Sequence, residues 1–120
     1  MDAATFLKII VCSLDKNKAQ DIQVIEVGDI TSMTEYFVIA AGGSSTQVRA
    51  LADHVEEDLK AQGILPAHTE GYHSSTWLLA DYGSVVLHIF QGETRRFYDL
   101  ERLWKDGKPV DISEMMERSE

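Results

Sequence analysis

A single cysteine, Cys12, rules out an internal disulfide, and its place in an apolar, helix-like segment reads as that of a small buried hydrophobe. No run of eighteen or more apolar residues occurs, so no segment reads as a helix crossing a bilayer. The opening MDAATFLKIIVCSLDK lacks basic residues ahead of its apolar part, unlike a signal peptide, and a cytoplasmic location is expected. Cations are scarce. With 11 Lys and Arg against 20 Asp and Glu, the chain carries a net charge of −9. A protein of that sign is repelled by phosphate backbones, so broad nucleic-acid binding is disfavoured. The acidic balance suits a basic protein partner, and it would equally serve to keep a domain soluble.

What the chain does contain is a folded domain's composition: 44% hydrophobic and 26% charged residues over 120 positions, enough for one core and too few for two. The stretch from Thr76 to Trp104 organises the rest and holds both tryptophans. Residues 76–81 and 85–90 are short runs rich in β-branched and aromatic residues around Tyr82-Gly83-Ser84, the pattern of two antiparallel strands and a tight turn. From Thr94, a candidate N-cap, Phe97, Leu100, Leu103 and Trp104 recur at helical spacing, and Gly107 and Pro109 supply a stop. Upstream, Ala3, Phe6, Leu7, Ile10, Val11 and Leu14 form the stripe of an amphipathic helix. Residues 22–27 read as a strand ended by Gly28. Residues 36–41, almost wholly apolar, suit a strand buried on both faces. The loop between them reads as a polar connection.

Gly42-Gly43-Ser44-Ser45 then opens a helix whose buried face is Val48, Leu51, Ala52, Val55 and Leu59. Ser44 with Gln47 three residues on forms a capping box, and Gly63 fits the C′ position. A glycine-serine turn can also hold an anion, but this one matches neither the dinucleotide fingerprint nor the P-loop. A connection of helical length favours parallel pairing, with residues 65–71 as a short following strand. The expected fold is α/β, a mixed sheet of four or five strands with packed helices. Residues 1–107 would form the domain and 108–120 an acidic tail.

Several motifs occur in one order: residues 21–27, TEYFVIA from Thr34, GSS from Gly43 through Ala52-Asp53, Glu70-Gly71, WLLADYG from Trp77, VVLHIF from Val85 and RFYDLERLW from Arg96. Together they resemble the ribosomal silencing factor family, also called Iojap-related, over about residues 3 to 106. The resemblance implies binding to the large ribosomal subunit through the basic ribosomal protein L fourteen. It also implies that joining of the small subunit is blocked and translation lowered when nutrients are short. The family is similar in fold to nucleotidyltransferases but is not regarded as catalytic.

That likeness makes a nucleotidyltransferase acting at Gly43-Ser44 the natural rival, and the residues argue against it. Such an enzyme needs two or three carboxylates to hold magnesium against the nucleotide phosphates. Asp53 falls inside the capped helix, Asp81 stands alone at a strand end, and residues 85–90 contain no acid. His54, His68, His73 and His88 lack a partner histidine at i, i+4 or a cysteine pair, so no metal or cofactor is expected. Ser44, His88 and Asp81 lack the elbow of a hydrolase triad. No catalytic residue is therefore assigned.

The expected site is a docking surface. Alternation puts Trp77, Leu79 and Asp81 on one face and Leu78 and Ala80 on the other; His88 shares a face with Val86 and Phe90. A tryptophan beside an acid fits a half-exposed face, although Trp77 could also cover a helix. Tyr98 lies off the stripe made by Phe97, Leu100 and Trp104. With the resemblance counted, Trp77, Leu78, Tyr82, His88 and Tyr98 are the expected anchors, with Asp81 meeting a partner's lysines or arginines. The effect would be steric, by occupancy alone. A homodimeric adaptor unrelated to ribosomes is the remaining alternative, and a homodimer of the free protein is compatible with either reading.

Overall fold

The structure, a computed structural model, describes residues 3–32, 34–71, 76–92 and 106–113. Its elements run α1 (Ala3–Lys16), β1 (Gln20–Glu26), β2 (Tyr36–Gly42), α2 (Ser45–Lys60), β3 (His68–Glu70), β4 (Trp77–Asp81), β5 (Val85–Gln91) and β6 (Lys108–Val110). The strands form one mixed six-stranded sheet in the order β3-β4-β5-β2-β1-β6.

The α/β class is as expected, and the sheet exceeds the expected four or five strands by one, β6, while the short strand expected over residues 65–71 is β3. β3 and β6 are three residues each, too short to show any alternation in sequence. Lys108–Val110, expected as the start of a tail, pairs antiparallel with β1, and Val110 and Ile112 pack against the core. Lys108 Nζ lies 3.1 Å from Asp29 Oδ2 in the β1–β2 connection, and this bond raises the lysine's pKa. The helix expected from Thr94 lies outside the described residues.

The parallel pair is also not the expected one. β2 pairs with β5, in the register Phe37 to Val86 and Ile39 to His88. The strand after α2 goes instead to the edge, and β3, β4 and β5 form an antiparallel meander that brings the chain back to β2. The turn from β4 to β5 follows the expected residues. Gly83 has φ +89 and donates its N–H to Asp81 Oδ1 at 2.8 Å, while Tyr82 N–H donates to Val85 O.

α1 and α2 lie on one face of the sheet. Their apolar stripes, Phe6, Leu7, Ile10, Val11 and Leu14 with Val48, Leu51, Val55 and Leu59, meet Val24, Val38, Ala40, Leu78, Ala80, Leu87 and Ile89. The cap of α2 is reciprocal, as expected. Ser44 Oγ accepts from Gln47 N–H at 3.1 Å, and Gln47 Oε1 accepts from Gly43 N–H at 2.6 Å. At its other end Gly63, φ +79, donates to Lys60 O and Ile64 donates to Leu59 O, the Schellman pattern. A second, smaller cluster forms on the opposite face from Ile25, Val27, Ile39 and Phe90, with Phe37 and Trp77 packed against it. β2 therefore contributes to both cores, which accounts for its nearly continuous apolar run.

Candidate functional site

The face of the sheet turned away from α1 and α2 carries the unusual chemistry. β4 presents Trp77, Leu79 and Asp81 there, and β5 presents Val86, His88 and Phe90; across the strands Trp77 is opposite Phe90, Leu79 opposite His88 and Asp81 opposite Val86. The Trp77 ring stacks on Phe90 with centroids 5.5 Å apart. His88 stacks against Trp77 at 6.0 Å and takes Phe37 edge-to-face at 5.0 Å. Trp77 Nε1–H donates to His88 Nδ1 at 3.2 Å. An imidazole set among the rings of Phe37, Trp77 and Phe90 with 7% exposure is poorly solvated. Burial accordingly pushes its pKa down from 6.5 to about 4, and at neutral pH the ring is uncharged.

Beside His88 the face hollows into a groove of about 420 Å³. Phe37, Leu79 and Val86 form its floor with His88, and Ile30, Thr31 and Thr34 of the β1–β2 connection form one wall. Asp81, Glu70 and His68 stand along the other side. Glu70 is exposed, with Oε1 3.0 Å from His68 Nε2. Asp81 has one oxygen on the Gly83 amide, which holds its carboxylate at the end of β4. An apolar floor with acids along its edge is the form of a small protein-docking surface.

Of the six expected site residues, Trp77, Asp81 and His88 share this face. Leu78 and Tyr82 do not. Leu78 is fully buried under the helices, and Tyr82, 8% exposed, packs edge-to-face on Phe6 of α1 with ring centroids 6.0 Å apart. Both belong to the helix-side core, because a strand residue one step from Trp77 must point the other way. Leu78 therefore offers no surface to a partner in this structure, and Tyr82 offers little. Tyr98 lies outside the described residues. Among the described residues Trp77 packs on Phe90 and His88, on the face away from α1 and α2.

The groove also includes residues that the sequence reading passed over. Leu79 and Val86 were legible, since they alternate with Trp77 and His88. Ile30 had one signal, a large β-branched apolar side chain in a mainly polar connection, where it is 45% exposed. Gly71 explains the Glu70-Gly71 pair. It has φ +90, and a Cβ there would clash with the Trp77 carbonyl oxygen, so only glycine lets the chain pass so close to β4.

Among the described residues the rival chemistry is not assembled. Gly43-Ser44 follows the C-terminal end of β2, whereas Asp81 is level with Phe37 through Val86, near the start of that strand. Five residues of strand separate Phe37 from Gly42, roughly 16 Å. Ser44, His88 and Asp81 therefore make no triad, and Asp53 is exposed on α2. The Gly43 amide and Ser44 hydroxyl are both bonded to Gln47, so the turn is committed to capping. Among the described residues no group of three or more His, Cys, Asp or Glu is placed to hold a metal ion, and no helix is long and apolar enough to cross a membrane.

Comparison with known proteins agrees with the motif order. The model of the family described as "Ribosomal silencing factor during starvation" matches residues 1–120. Ribosomal silencing factor RsfS of Bacillus subtilis (strain 168) is 34% identical over 112 residues, covering 93% of this chain and 95% of that protein. A mouse protein named "Mitochondrial assembly of ribosomal large subunit protein 1" is 35% identical over 101 residues, 82% of this chain and 44% of the mouse protein. A crystal structure of a Chromobacterium violaceum protein superposes with a TM-score of 0.84 at 34% identity, covering 92% of each chain.

Proposed function

The chain belongs to the ribosomal silencing factor family, and from that premise we propose that it docks on ribosomal protein L fourteen of the large subunit through the sheet face bearing Trp77 and His88. Once docked, its bulk occupies space that the small subunit needs, so the joined ribosome cannot form and translation falls when nutrients are short. The observation that carries this reading is the groove beside His88. It sets an apolar floor and the acids Asp81 and Glu70 beside the stacked rings of Trp77, His88 and Phe90, on the face away from α1 and α2. The net charge of −9 favours approach to a basic ribosomal protein. The mouse relative's name likewise points to the large subunit.

The mechanism is steric, so the dose of protein should set the effect. Purified protein sedimented with isolated subunits should travel with the large subunit and not with the small one. In a joining assay, the yield of joined ribosomes should fall in proportion to the occupied large subunits. Sedimentation with small subunits alone, or undiminished joining at saturating protein, refutes the proposal.

A further inference from the structure

The Trp77–His88 hydrogen bond settles where the imidazole proton resides. An indole N–H can only donate, so Nδ1 of His88 is the acceptor at 3.2 Å and the neutral ring carries its hydrogen on Nε2. Nε2 is nevertheless buried without a hydrogen-bond partner among the described residues. The neighbouring rings of Phe37, Trp77 and Phe90 offer no oxygen, and an aromatic face is a weak acceptor. A buried donor in that state destabilises the free protein. His88 lines the groove, whereas Trp77, which holds Nδ1, does not.

We infer that His88 Nε2–H is the donor that fixes the docked partner, and that the partner's acceptor is a main-chain carbonyl of an extended, basic segment of a large-subunit protein. A carboxylate acceptor is disfavoured, because Asp81 and Glu70 flank the same groove and would repel it. The segment lays an apolar side chain on Phe37, Leu79 and Val86 and turns a lysine or arginine towards Asp81 and Glu70. Half-buried Phe37, edge-on to the imidazole, is the side chain that must give way. This assignment rests on the docking reading above and names the group that would make it specific.

The test uses the full chain and isolated large subunits. His88→Phe keeps a ring but removes the donor, and should bind large subunits about tenfold more weakly while melting no lower than the parent. His88→Gln offers an acceptor towards Trp77 and an amide donor outward, and should bind within about threefold of the parent. A merely structural histidine would lower melting and binding together, so the opposed signs identify the role. A His88→Phe protein that binds like the parent overturns the inference and leaves the docking reading standing. So does one that loses binding only because it has unfolded, or a folded His88→Gln protein no better than His88→Phe. If the parent itself does not sediment with large subunits, the docking reading falls and the inference falls with it.

Discussion

Acidification should cost this protein stability through one residue well before its carboxylates titrate. His88 has a pKa of about 4 in the folded protein against 6.5 as a free side chain, because burial penalises the imidazolium. Between those values the unfolded chain binds a proton that the folded chain refuses, so stability rises with pH across that window. The contribution is complete above pH 6.5 and is lost as pH falls towards 4. At about 1.4 kcal/mol per pKa unit, the gap corresponds to about 3 kcal/mol, of which roughly 2 should be gone by pH 5. Against a total stability on the order of 5 to 15 kcal/mol, that is a measurable share. Urea unfolding followed by far-ultraviolet circular dichroism at pH 7, 6, 5 and 4 provides the assay, with His88→Phe as reference. Carboxylates titrate in both proteins, so the difference between the two curves isolates the imidazole. Parallel losses for parent and variant between pH 7 and pH 5 would refute the reasoning, since a ring that charges without penalty cannot be buried as the structure has it.

Adjacent substitutions on β4 should act on different properties. Leu78→Ala empties a fully buried site and should lower stability by about 2 to 5 kcal/mol. Trp77→Ala should weaken binding to large subunits by about 30-fold, roughly 2 kcal/mol, with a smaller loss in melting. Should Trp77→Ala melt as far down as Leu78→Ala while its folded fraction binds normally, the docking face has been assigned to the wrong side of the sheet. Gly71→Ala combines a positive φ with a Cβ that meets the Trp77 carbonyl. It should cost about 2 kcal/mol or more in chemical denaturation, and a variant as stable as the parent would contradict the tight passage beside β4.

Local chemistry determined much of this protein before any tertiary contact was known. The stripes of α1 and α2, the Ser44–Gln47 cap, the Gly63 exit and the Tyr82–Ser84 turn each depend on residues within a few positions of one another, and each is found where the spacing puts it. Strand alternation also separated Trp77, Leu79 and Asp81 from Leu78 and Ala80, because that period is a property of the backbone. Alternation sorts residues into two faces without saying which face receives the helices. Only packing decided that, and it sent Leu78 and Tyr82 inward while leaving Trp77, Asp81 and His88 around a groove. Pairing was equally non-local. β2 takes β5 as its parallel neighbour because the β3-β4-β5 meander returns the chain to its free edge, and β6 is recruited because β1 still has an unpaired edge to offer. A three-residue strand such as β6 carries no periodic signal, so that edge exists only once its neighbour is in place. The Trp77–His88 hydrogen bond and the stranded Nε2–H belong to the same class. They join residues eleven positions apart, and nothing but the register of β4 against β5 brings the two rings together.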